Sequence, residues 1–161
     1  MKSVWGGYME PILIDTNLLV YVYDRRDPIR QNIAIRVVGS LSKVGIGRLS
    51  AQCLSEFFNA ATKRKANQDA ILSIAEAVSE TEKLSRAFAI FPVTQQVVLE
   101  ALRGVQQYHL QFWDAQIWAA ARLNQIPYIF SEDFQIGAAF EGVNFVNPFV
   151  PSFQLQTWIT A

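Results

Sequence analysis

The stretch ILIDTNLLVY, which begins at Ile12, constrains this chain more than any other. Ile12 to Ile14 read as a short buried strand, and the strand ends in a carboxylate, Asp15, followed by a hydroxyl and an amide, Thr16 and Asn17. Taking an unpaired carboxylate out of water costs several kcal/mol or forces it to take up a proton. A fold that uses this stretch must therefore bring Asp15 a partner from elsewhere in the sequence.

The rest of the chain alternates strand and helix patterns. Leu18 onward turns helical, and Asp27-Pro28 starts a helix that runs to about Leu41 with Ile33, Val37 and Leu41 on one face; Gly45 and Gly47 end it. IGRLS is a strand, and Ser50 caps a helix through Glu56 to the basic run Lys63, Arg64 and Lys65, where the positive charges complement the helix dipole. Ile71, Ile74, Ala75 and Val78 predict the inner face of the next helix. AFAIFPV is a strand that stops before Pro92, and Thr94 caps a helix with Val97, Val98, Ala101, Leu102 and Val105 inward. A helix over Phe112 to Asn124, the strand in PYIFSED and a last strand in VNFVNPF complete the pattern. This alternation predicts an α/β fold, a mainly parallel sheet flanked by helices.

At 161 residues, with 51% hydrophobic and 17% charged, the chain suits one well-cored domain. Its 14 basic and 14 acidic residues balance, so any polyanion must be held locally. Cys53, the single cysteine, reads as a small buried hydrophobe; it excludes an intrachain disulfide and a multi-cysteine zinc site and fits the cytoplasm. No stretch resembles a membrane span or a signal peptide, which predicts a soluble protein with no membrane partner. Met9 stands just before the first strand, so residues 1–10 are expected to be an extension, a non-native or misassigned start.

In an open parallel sheet the carboxyl ends of the strands line the ligand crevice, so Asp15 and the pair Glu132 and Asp133 are expected to converge there. Asp114 shares a helix face with Leu110, Ile117, Trp118 and Ala121, and Glu56 is bracketed by Leu54, Phe57, Phe58 and Ala61. Acids inside apolar stripes need a counter-charge. No basic residue lies close in sequence to Asp15, Glu56, Asp114 or Asp133, and His109, read as a surface or boundary residue, is the sole histidine. A hard divalent cation, Mg²⁺ or Mn²⁺, takes carboxylate oxygens and water and needs no histidine. Taken singly, Asp15 as a helix cap, Glu56 as a half-exposed helix residue and Asp133 as a turn former are the plainer readings. Phe112, Trp113 and Trp118 are expected in core or dimer packing.

ILIDTNLLVY, SAQCLSEFFNAATKRK, FWDAQIWAAA, IFSEDFQIG and VNPF, in that order, resemble the motifs of the PIN domain, in particular the bacterial form similar to VapC-type toxins. The resemblance implies a PIN-like domain over residues 11–150 with a tail at 151–161. It implies a Mg²⁺- or Mn²⁺-dependent endoribonuclease with Asp15, Glu56, Asp114 and Asp133 as catalytic and metal-binding residues. Thr16, Asn17 and Ser131 match supporting positions of the motifs, and Glu132 is expected to support the site or face the RNA. Lys63, Arg64, Lys65, Arg25 and Arg26 are candidate RNA phosphate contacts. A homodimer and a small cognate antitoxin are further implications. Two alternatives stay open: a PIN-like RNA-binding module without activity, and a phosphatase forming an aspartyl-phosphate at Asp15, although such enzymes carry a second acid where Asn17 stands.

Overall fold

The computed structural model describes residues 8–160. The expected extension, 1–10, lies mostly outside that range, though Met9 packs partly against the core. Ile12–Ile14 forms strand β1 with all three side chains buried, the signature of a strand covered on both faces of a sheet. Around it stand β2 (Gly47–Ser50), β3 (Ala89–Phe91), β4 (Tyr128–Phe130), β5 (Ala139–Phe140) and β6 (Val143–Val146), in the order β3-β2-β1-β4-β6-β5. All neighbours are parallel except β5 and β6.

The strand order reverses between β1 and β4. From β1 the chain moves outward to β2 and β3, then crosses back to lay β4 on the other side. Helices leaving two adjacent strands in opposite directions open a crevice at their carboxyl ends, the usual ligand position in such sheets. Asp15 follows β1 and Ser131 follows β4, with Ile14 paired to Phe130. Register alone thus brings the two polar strand ends together.

Helices α1 (Thr16–Tyr23), α2 (Pro28–Lys43), α3 (Ala51–Thr62), α4 (Ile74–Ala87), α5 (Gln95–Tyr108), α6 (Phe112–Leu123) and the short α7 (Gln156–Ile159) cover the sheet. Their starts follow local chemistry: Asp27 caps α2 with Pro28 in its first turn, Ser50 caps α3, Thr94 caps α5, and Ser73 with Glu76 forms a reciprocal capping box on α4. No helix of the described residues is long and apolar enough to cross a membrane.

Several expectations need correction. The box at Ser73 starts α4 at Ile74, and the phase that follows buries Ala77 and Leu84 while Ile74 and Val78 stay exposed; the small Ala77 lets α4 settle onto α3. On α5 the buried positions are Val97, Ala101 and Gly104, and Leu102 is exposed. Gly104 sets that phase, because a Cβ there would stand 2.8 Å from Trp118 of the facing helix. Helix α3 ends at Thr62 with Lys63 in extended geometry, so Lys63, Arg64 and Lys65 lie in an exposed loop beyond the helix rather than in its last turn. Strand β2 starts at Gly47, within the expected IGRLS strand, and β5 was not foreseen. The segment after residue 150 is packed rather than free: Leu155 is buried and Trp158 meets Tyr128 and Phe130 edge-on.

Candidate active site

Asp15 is the N-cap of α1 as well as the end of β1. Its Oδ1 accepts from the Thr16 amide at 2.7 Å and its Oδ2 from the Ser131 hydroxyl at 2.7 Å. The plain reading of Asp15 as a cap is therefore right and incomplete, since among the described residues no basic side chain pairs with its carboxylate. Burial pushes its carboxyl up to about 7; the two hydrogen bonds oppose that rise, and the charges of Asp133 and Asp114 add to it.

Ser131 ties the two strand ends together. Besides donating to Asp15, its oxygen accepts from the Asp133 amide at 3.1 Å, while Asn17 Nδ2 donates to Asp133 Oδ2 at 2.9 Å. Asp133 is exposed on the turn after β4. Asn17 Oδ1 is buried without a hydrogen-bond partner, and Thr16 Oγ1 has at most the weak Cys53 thiol. Buried Cys53 donates to the Ile14 carbonyl behind Asp15.

Asp114 lies in the first turn of α6 and is half-buried, less enclosed than its apolar neighbours predict; Ile117, Trp118 and Ala121 are buried, while Leu110 precedes the helix. No side chain caps this helix, so its free amides and dipole favour a negative charge at that end. Burial, then the charges of Asp133 and Glu56, still push Asp114 up to about 6. Glu56, midway along α3, accepts from Gln52 Nε2, which also donates to the Trp113 carbonyl at 3.0 Å; Gln116 in turn donates to Gln52 Oε1 at 2.8 Å. This buried amide relay holds α3 against the start of α6. Gln52 precedes Glu56 by four residues, a same-face spacing that could have exposed it in the sequence.

Asp15, Asp114, Asp133 and Glu56 thus gather around the ends of β1 and β4, and none of them forms an ion pair among the described residues. Among the described residues no three His, Cys, Asp or Glu side chains are gathered tightly enough to enclose an ion. The donor set nonetheless fits a hard divalent ion, being oxygen throughout, with the buried, unpartnered amide oxygen of Asn17 beside it. A groove of about 600 Å³ lies elsewhere, lined by Val22, Arg26, Gln31 and Leu72 among others, and shares no residue with this acidic mouth.

Glu132 takes no part in the gathering. It is bound by the Tyr21 hydroxyl and by Arg30 Nε at 3.1 Å, two partners that sequence reading missed. Among the candidate phosphate contacts, Arg26 is held by both oxygens of Asp24, whereas Arg25, Lys63, Arg64 and Lys65 are exposed. Trp118 is fully buried, Phe112 is partly buried, and Trp113 is 54% exposed, so Trp113 is not a core residue. His109 is exposed and takes the left-handed conformation that ends α5.

The family model of the PIN domain matches residues 12–139. The chain belongs to the PIN domain family. Several solved structures share its fold at low identity. A toxin-antitoxin complex from Klebsiella pneumoniae superimposes with a TM-score of 0.61 at 21% identity, covering 85% of this chain and 97% of that one. VapC20 of Mycobacterium tuberculosis, described as a Sarcin-Ricin loop cleaving toxin, gives 0.58 at 22% identity over 76% of this chain and 91% of that one. FitAB bound to a DNA fragment gives 0.59 at 18% identity, covering 88% and 98%. No match is found among curated proteins. The ends of β1 and β4 in this PIN domain carry Asp15 and Asp133, and α3 and α6 carry the other two acids.

Proposed function

We propose that this PIN domain is a divalent-metal-dependent endoribonuclease that hydrolyses RNA phosphodiester bonds, and that it is the toxin of a VapBC-type pair. The observation that supports the reading is a set of carboxylates near the β1–β4 switch point, close enough to add to the rise in pKa that burial gives Asp15 and Asp114, with no ion-pair partner among the described residues. Asp15, Asp114, Asp133 and Glu56 would hold Mg²⁺ or Mn²⁺. Such an ion, when bound, lowers the pKa of a water toward neutrality and offsets charge on the phosphate.

The chain's own groups prepare that site. Ser131 fixes Asp15 and the backbone of Asp133 at once, Asn17 orients the Asp133 carboxylate, and Gln52 aims Glu56. The open amides at the start of α6 favour an anion there, whether Asp114 itself or an incoming phosphate. Arg25, Lys63, Arg64 and Lys65 are free to meet flanking phosphates, and Arg26 is less so because Asp24 occupies it. The neighbour titled a toxin-antitoxin complex supports an antitoxin partner, and exposed Leu99, Leu102 and Trp113 are compatible with a homodimer. A cytoplasmic site of action accords with the single, unpaired cysteine.

An aspartyl-phosphate at Asp15 is disfavoured, since both of its oxygens are engaged in hydrogen bonds and it is buried. The test is cleavage of RNA by purified protein with Mg²⁺ or Mn²⁺, with chelator, and with Asp114→Asn. Metal-dependent cleavage lost in the variant supports the reading; cleavage that survives chelator or Asp114→Asn overturns it, and RNA binding without any cleavage favours the inactive module.

A further inference from the structure

Helix α1 reaches the turn after β4 twice, one helical turn apart. Asn17 donates to Asp133, and Tyr21, four residues on and so on the same face, donates to Glu132. Glu132 is only 18% exposed and its second oxygen receives Arg30 Nε at 3.1 Å. Arg30 is itself fixed: its Nη1 reaches Asp27 Oδ2 at 3.1 Å, and its guanidinium lies 5.7 Å from the Tyr21 ring centre and 5.8 Å from that of Phe149. The Tyr21 and Phe149 rings meet edge to face at 5.3 Å. Groups from α1 and α2 therefore hold one glutamate whose sequence neighbour is Asp133, and Phe149 from the segment after β6 packs against both of the holding side chains.

We propose that Tyr21, Glu132 and Arg30 form a clamp that positions Asp133 for metal binding, with Glu132 a positioning residue and not a ligand. This rests on the reading of the four acids as a metal site. Asp133 is exposed on a turn, and a ligand on a free turn gives up conformational freedom each time it binds. Anchoring the adjacent residue on two helices removes that freedom in advance, which raises affinity without adding a contact to the ion. Arg30 shares its one positive charge between Asp27 and Glu132 and so offsets part of the negative charge of Glu132, which none of the four acids receives. Two adjacent acids at one strand end thus take different work: one is pinned to a cation and a phenol, the other faces the cleft.

The experiment is Mn²⁺ titration of the purified full-length chain, read by the electron paramagnetic resonance signal of free Mn²⁺, with thermal unfolding of each metal-free variant alongside. Tyr21→Phe and Glu132→Gln should each raise the Mn²⁺ Kd by about tenfold, the range associated with residues that orient ligands. The double variant should be little worse than the weaker single, since both break one device. Asp133→Asn should lose more than either. Arg103→Ala, remote from the clamp, should lower thermal stability and leave the Mn²⁺ Kd unchanged, which separates positioning from general loosening. Unaltered Mn²⁺ binding in Tyr21→Phe and Glu132→Gln, with a large loss in Asp133→Asn, overturns the clamp and leaves the acidic site standing. A larger loss in Glu132→Gln than in Asp133→Asn overturns it by making Glu132 a ligand. Wild-type binding in Asp133→Asn removes the metal-site reading itself.

Discussion

Helix α6 carries an acid at its first turn and a base at its last, and the two ends belong to opposite kinds of charge cluster. At its start Asp114 neighbours the charges of Asp133 and Glu56, and among the described residues none of these acids has an ion-pair partner. At its end Arg122 joins Arg103 around Glu100 and Glu141: Arg122 Nη1 stands 2.9 Å from Glu100 and Arg103 Nη2 2.7 Å from Glu141, with the Tyr108 hydroxyl also on Glu141. The same functional group is pushed in opposite directions. Asp15 and Asp114 are raised, chiefly by burial, whereas hydrogen bonds from Arg103 and Tyr108 lower Glu141 to about 2. The second cluster ties α5, α6 and the β5–β6 turn together and supports the fold; the first works against the fold, which is intelligible if its charges serve a ligand.

The largest effects should separate the two clusters by activity. Asp114→Asn should reduce metal-dependent RNA cleavage by at least ~100-fold, beyond what changes around a metal site usually cause, while circular dichroism stays that of the wild type. Arg122→Ala should leave cleavage near the wild-type rate. A similar loss of cleavage in both variants would dissolve the contrast.

That contrast was only half visible in the sequence. The acids of the mouth stand out because each follows a strand or interrupts an apolar helix stripe, and because their motifs come in a recognisable order. The parallel sheet and most helix caps were legible for the same reason: they depend on a few adjacent residues. What escaped depends on contacts across the chain. Tyr21 and Arg30 lie 111 and 102 positions from Glu132, and Arg103 lies 38 from Glu141, so no local pattern joins them. The inner face of α4 was misread because Ile74 and Val78 were expected inward where the small Ala77 packs, and on α5 Leu102 was wrongly placed inward, where Gly104 sets the approach to Trp118, while Val97 and Ala101 are buried as expected.

The next effect in size belongs to the network side. Gly104→Ala would drive a methyl against the fully buried Trp118, on whose ring Arg103 rests at 5.4 Å. Overpacking of this kind costs about 1–3 kcal/mol, offset by up to ~1 kcal/mol of better helix propensity. Thermal unfolding should fall by a few degrees while Mn²⁺ affinity is kept. Loss of Mn²⁺ affinity would mean that the α5–α6 contact also sets the acidic mouth.

A smaller effect, of the opposite sign, is expected from Asp114→Asn in the metal-free protein. The folded Asp114 titrates near 6 against 3.8 for the free side chain, so its charge opposes folding increasingly as pH rises from about 4 through 6. Replacing it by an amide should stabilise the protein at pH 8 by roughly 1 kcal/mol, after discounting for its half-exposed position, and by almost nothing at pH 4. Urea unfolding in chelator at the two pH values measures this, and a variant less stable than the wild type at pH 8 would deny that the mouth is strained.

The smallest effect completes the pair by reversing that dependence. Glu141 titrates near 2 when folded and near 4.5 when free, so its contribution is fully present above 4.5 and disappears as pH falls toward 2. Its partners are partly solvent-exposed, with Arg103 and Arg122 at 36% and 37%, so water and salt screen the interaction. Glu141→Gln should therefore destabilise the chain at pH 7 by only about 0.5 kcal/mol, the middle of the range for exposed ion pairs. In 1 M salt, where the screening length is about 3 Å, most of that difference should vanish. Asp114→Asn should respond differently to salt, because its main cause is burial, which dissolved ions do not screen. Should Glu141→Gln prove stabilising at pH 7, its arginines would be compensating a cost there too, and the two ends of α6 would no longer be opposites.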